Sequence, residues 1–145
     1  MTPSTKVRYG LRILIELAVR YGSGPVQAET VAQAQGISAK YIRVLVGHLK
    51  NANLVRVSRG PHGGFQLARP PESITALDAL KALDGPVFSP PCAQTAIHCL
   101  RAGSCAAQAL WNEAFAAATS VFSSHTLDEL ARREREHREV PSYQI

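Results

Sequence analysis

All three cysteines of this 145-residue chain, Cys92, Cys99 and Cys105, fall within one fourteen-residue stretch, CAQTAIHCLRAGSC. The thiolate is the nucleophilic and metal-binding form of cysteine, so three of them on one Gly- and Ala-containing loop offer three chemistries. They can close around an iron–sulfur cluster, hold a zinc ion, or form a disulfide between two of their number. A fourth possibility is that they are ordinary thiols, one or two of them buried. The C-x6-C-x5-C spacing lacks the C-x2-C to C-x4-C pairs of structural zinc sites, which disfavours zinc. It also departs from ferredoxin-type runs, so spacing alone does not assign a cluster. Elsewhere, five histidines and eleven carboxylates form no recognisable catalytic or phosphate-binding motif, and no enzymatic activity is expected.

The charge distribution points to a partner for the other end of the chain. Residues 1–70 carry ten Lys/Arg against two Asp/Glu, whereas residues 71–145 carry six against nine. A basic half is a candidate electrostatic footprint for nucleic acid. The 46% apolar content is that of a soluble globular chain. The longest apolar stretch, LRILIELAV, is short and interrupted by Arg12 and Glu16, and residues 1–25 lack the pattern of a signal peptide. A cytoplasmic protein in a reducing compartment is expected.

The elements that must position these groups follow from periodicity. Between Lys6 and Tyr21, apolar residues at helical spacing predict an amphipathic helix with Ser4 or Thr5 as N-cap. Arg8, Arg12, Glu16 and Arg20 share another face, where Glu16 can pair with either neighbouring arginine. GSGP breaks the chain, QAETVAQAQ forms about two further turns, and Gly36 ends them. Ser38 then caps a helix from Ala39 to about Ala52 that buries Ile42, Leu45, Val46 and Leu49 and shows Lys40, Tyr41, Arg43, Val44, His48 and Lys50 on its other faces. Two helices around a glycine turn are the arrangement of a helix-turn-helix. Gly47 lowers helical propensity inside the second helix, and close approach of another backbone is one reason to place it there.

LVRVSRGPHGGFQLA reads as strand, tip and strand, with Arg59 and His62 as the long polar groups of the tip. A hairpin after a helix-turn-helix is a wing, whose arginine can enter a minor groove. A short helix over about 74–84 follows, capped by Thr75 and Asp78. Beyond the cysteines, Leu110, Trp111, Ala114, Phe115, Ala118, Val121 and Phe122 give an alanine-rich helix a broad apolar surface. A capping box, Thr126 with Glu129, opens a final charged segment. The expected fold is mainly α with a small β-hairpin wing. Residues 1–70 form a winged helix-turn-helix head packed with helix 74–84, residues 86–105 a cysteine loop, and residues 106–140 a long helix followed by a C-terminal helix.

Ser4-Thr5-Lys6 with Arg8-Tyr9, GPV, QGIS, Tyr41, Leu54-Val55, RGP followed by GG and an aromatic, the three cysteines, ALW and TLDEL occur in order from residue 4 to about residue 131. In these motifs the chain resembles the IscR, NsrR and RirA family of bacterial winged-helix regulators. The resemblance implies a homodimer on a pseudo-palindromic DNA operator, acting as a repressor, with one recognition helix per major groove and one wing per minor groove. It places Ser38, Lys40, Tyr41, Arg43 and Val44 near DNA, with Arg59 and His62 on the wing. Dimerisation is implied through Leu110, Trp111, Ala114, Phe115, Ala118 and Phe122. The loop then resembles the family's cluster loop, with Cys92, Cys99 and Cys105 as ligands of a [2Fe-2S] or [4Fe-4S] cluster sensing nitric oxide, redox state or iron supply. Relatives complete the site with a histidine three residues after the last cysteine, where this chain has Gln108, or with an early carboxylate, where it offers Arg8 and Arg12. His98 is the nearest imidazole within the loop and a candidate fourth ligand, with a more distant side chain or a small external ligand as the alternatives. A cluster-free regulator sensing thiol oxidation, and an iron–sulfur electron-transfer or carrier protein, are the alternatives.

Overall fold

A computed structural model of the chain describes residues 3–84, 101 and 104–139. Helix α1 (Thr5–Val19) starts where the Ser4 hydroxyl accepts the Val7 N–H at 3.2 Å. Its apolar stripe, Val7, Ile13, Leu14, Leu17 and Ala18, forms the spine of the core. Helix α2 (Ala28–Gln35) stops at Gly36, whose φ of 62° is the left-handed conformation that glycine adopts without steric cost. Two residues later the Ser38 hydroxyl accepts the Tyr41 N–H at 3.2 Å and starts α3 (Ala39–Asn51). The tight reversal packs α2 on α3 and turns Ile42, Leu45, Val46 and Leu49 inward, as expected for a helix-turn-helix.

Asn53, at φ 56°, ends α3 and directs the chain into β1 (Val55–Ser58), which pairs antiparallel with β2 (Gly64–Leu67). The register sets Val55 opposite Leu67 and Val57 opposite Phe65 on one face and Arg56 opposite Gln66 on the other. The expected wing carries an addition that alternation did not reveal. Val26, in the α1–α2 connection, exchanges two backbone hydrogen bonds of 2.8 Å with Phe65. A side chain on Gly64 would lie 2.5 Å from the Val26 carbonyl oxygen, so the missing β-carbon is what lets the two backbones meet.

After a single 3₁₀ turn (Pro71–Ser73), α4 (Ala76–Asp84) opens on the expected box. The Thr75 hydroxyl accepts the Asp78 N–H at 3.2 Å, and the Asp78 carboxylate accepts the Thr75 N–H at 3.0 Å. Helix α5 (Ala106–Ser124) runs along α4, and α6 (Leu127–Glu139) folds back along α1. The corner between them is pinned to the head: Ala76 donates to the His125 carbonyl at 2.9 Å and Leu127 to the Ile74 carbonyl at 2.8 Å. Leu127 and Ala131 enter the core, so the charged final segment is anchored by two apolar residues. No helix among the described residues is long and apolar enough to cross a membrane.

Candidate nucleic-acid interface and thiol segment

Lys40, Arg43, Val44, Gly47 and His48 repeat at helical spacing along α3, and all are exposed. Val44 is 53% exposed, unusual for a β-branched apolar side chain at the centre of a helix. Gly47 sits in the middle of this face, and a β-carbon there would meet nothing within 4 Å. Within the chain the space beside it is open, so no backbone of this chain is what the glycine admits.

Other expected contact residues are already engaged. Ser38 spends its hydroxyl as the α3 cap. Tyr41 is half-buried, its ring edge-on to Tyr9 with centroids 6.2 Å apart, and Arg8 and Arg12 lie over the Tyr9 ring. Arg43 donates to the Glu29 carboxylate at 2.5 Å, an exposed pair between α3 and the first turn of α2. At the wing tip, Arg59 and His62 are exposed around Gly60, whose φ is 103°.

Behind this surface lies a group whose place was not legible in the sequence. Glu16 has no exposed surface. Its carboxylate accepts from Arg20 Nε at 2.6 Å, Gln35 Nε2 at 2.8 Å and Arg138 at 2.6 Å. Arg12, expected to be able to pair with Glu16, instead donates to Gln35, through Nε to the side-chain oxygen at 3.0 Å and through its terminal nitrogen to the backbone carbonyl. Burial pushes the Glu16 carboxyl up, but the hydrogen bonds from Arg138, Arg20 and Gln35 together outweigh it and hold it below the usual carboxylate range. One carboxylate thus ties α1 to the last residue of α2, at the helix-turn-helix turn, and to the far end of α6. The only available signal, a glutamate flanked by arginines four residues either side, reads equally well as a solvated helix face.

In α5 no residue is fully buried. Leu110 is 63% exposed, Trp111 42% and Val121 56%, while Ala114 is also exposed. Phe115 and Ala118 are half-buried, and Phe122 packs partly on the core of its own chain. Cys105 occupies the N-cap position of α5, half-exposed and free, and its side chain makes no capping hydrogen bond. Cys92, Cys99 and the candidate ligand His98 lie outside the described residues, as does most of the expected loop 86–105. Gln108 stands in the first turn of α5. Among the described residues no group of three or more His, Cys, Asp or Glu side chains is arranged to hold a metal ion.

Residues 3–133 match the Rrf2 family, described as iron-dependent transcriptional regulators. The HTH-type transcriptional regulator CymR of Bacillus subtilis is 40% identical over 131 residues, 90% of each chain. Its solved structure, titled the global cysteine regulator of B. subtilis, superposes with a TM-score of 0.78 at 39% identity over 92% of this chain and 98% of that one. The structure of T. potens IscR gives 0.79 at 28% identity over 99% and 95%. The exposed face of α3 beside a wing is thus the helix-turn-helix of a gene regulator, and the chain belongs to the Rrf2 family of winged-helix transcriptional regulators.

Proposed function

We propose that the protein is a homodimeric repressor whose operator affinity is set by the state of Cys92, Cys99 and Cys105, acting as ligands of an iron–sulfur cluster. The observation that carries the reading is the pairing of two unsatisfied surfaces: the exposed face of α3 with the wing, and the apolar face of α5. Lys40, Arg43 and Val44 enter a major groove and Arg59 with His62 the adjoining minor groove, while Ser38 and Tyr41 hold α3 in position at the DNA surface. Val44 can touch a thymine methyl, and an arginine suits guanine O6 and N7. Leu110, Trp111, Ala114, Phe115, Ala118 and Phe122 face the partner α5, with Val121 adding to the patch. Two heads related by that contact match a two-fold symmetric operator.

In this reading Cys105 transmits the change: a restraint on its Sγ acts at the N-cap of α5, and α5 as a helix packs on α4, which packs on α1 and α3. When bound, the cluster supplies a centre reactive toward nitric oxide and oxygen. Cys92 and Cys99 complete its thiolate set, and His98 is the candidate fourth ligand. The chain's own part is to convert order or disorder of residues 92–105 into a bias on the spacing of the two recognition helices. The description of the family as iron-dependent and the similarity to IscR support this reading. The similarity to CymR, titled a global cysteine regulator, favours a second one, in which two of the same cysteines form a disulfide on oxidation and no cluster is held.

Visible absorption and EPR spectra with iron and sulfide analysis, on protein purified without oxygen, decide between them. Brown protein bleached by each of Cys92→Ala, Cys99→Ala and Cys105→Ala is the expected result. Colourless, iron-free protein after anaerobic reconstitution overturns the cluster and leaves the thiol switch. Arg59→Ala is expected to weaken operator binding in a mobility-shift assay while leaving cluster absorbance unchanged.

A further inference from the structure

The basic head contains two carboxylates, Glu16 and Glu29, and Glu16 is buried. Glu29 is therefore the single exposed acid of residues 3–70, and it stands beside the recognition helix. A carboxylate on a surface that approaches phosphates repels them and weakens binding. The pair it makes with Arg43 is 55% and 64% exposed, and pairs of that kind add little to stability. Phosphate affinity does not account for its placement, and stability gains only the modest contribution of an acidic group in the first turn of a helix.

Its geometry offers a different role. Gln27, at the N-cap of α2, provides no side-chain cap, and Glu29 lies in that first turn. Its own backbone N–H and the Arg43 guanidinium, in that order, hold its carboxyl below the usual range, so it stays ionised. The carboxylate, carried on the first turn of α2, accepts one terminal nitrogen of Arg43 at 2.5 Å. An arginine released from it would sweep freely and settle on the nearest phosphate, a contact that carries no sequence information. Held by one nitrogen, Arg43 keeps its remaining donors for a base edge, and guanine presents the O6 and N7 acceptors that they match.

We propose that Glu29 is a specificity-determining positioning residue: it restrains Arg43 for reading a guanine in each half-site and gives up phosphate affinity to do so. The proposal rests on the DNA-binding reading above, and one experiment separates their failures. The wild-type dimer and its Glu29→Ala and Arg43→Gln variants are each used to enrich binding sites from a pool of randomised duplexes. Affinities for the enriched site, its single-base variants and a random duplex are then measured at several salt concentrations.

The wild type should enrich an inverted repeat with a G·C pair at one fixed position per half-site. Arg43→Gln should abolish that preference. Glu29→Ala should reduce it on the order of 10-fold while binding the random duplex more tightly and with a steeper salt dependence. In Glu29→Ala the loss should be confined to the G·C position that Arg43 reads, with discrimination at the other positions intact, whereas a merely loosened α2 would lower it at every position of the site. Unchanged discrimination in Glu29→Ala overturns the proposal, as does an Arg43→Gln variant that enriches the wild-type site. A wild type that enriches no sequence sinks the DNA-binding reading itself, which is a separate result.

Discussion

Glu16 shows how much can depend on one side chain. A carboxylate with no exposed surface is tolerable because three donors, from the C-cap of α1, from α2 and from α6, surround it. Removing it leaves the Gln35 amide unpaired beside a void while Arg20 and Arg138, each 38% exposed, still reach water, so Glu16→Ala should lower the unfolding free energy by about 1–3 kcal/mol in a urea titration. Arg138 is 38% exposed and leaves two donors in place, so Arg138→Ala should cost only about 1 kcal/mol. The folded carboxyl titrates below its ordinary value of 4.5, so its stabilisation is fully present above that pH and is lost as pH falls through the folded value. Glu16→Gln should flatten that part of the acid limb, which thermal melts between neutral and acid pH will read.

At the scale of the element, two helical glycines have opposite roles. At Gly10, on the face of α1 that meets α4, a β-carbon would overlap the Leu83 δ-methyl groups. Gly10→Ala should therefore lose stability, overpacking of about 1–3 kcal/mol exceeding the gain in helical propensity of about 1 kcal/mol. Gly47 faces open space on α3, so Gly47→Ala should gain roughly 0.5–1 kcal/mol. If α3 enters a groove as proposed, the same substitution puts a methyl group at the DNA surface, and operator affinity should fall while Tm rises. Measuring both on one variant separates the helix's stability from its docking.

For the whole molecule, the telling feature is a nineteen-residue helix, α5, with no buried residue attached to a well-packed head. Leu110 and Trp111 are among its most exposed apolar side chains. The combined substitution Leu110→Glu and Trp111→Glu should leave the head folded, because neither side chain is in the core, and, with α5 as the seam of the proposed dimer, should shift sedimentation from dimer to monomer. Operator affinity should fall with it by orders of magnitude, since two linked half-site contacts become one.

The order of elements, the helix-turn-helix, the wing and the capping boxes were legible because each is local: apolar period, a glycine at a left-handed turn, a serine or threonine three residues before its partner. So were the outward faces of α3 and α5, which need only a helix and a count of residue types. Tertiary structure alone decided what depends on two segments far apart in the chain. Val26 joins the wing because Gly64 lacks a β-carbon, Gly10 answers to Leu83, and Glu16 is a buried junction because Gln35 and Arg138 converge on it. It also decided that Tyr41 packs edge-on to Tyr9, and that Arg43 is held by Glu29. The physical reason is common to all of them: the sequence states what a side chain can donate, accept or bury, whereas only packing brings its distant partner within a few ångströms.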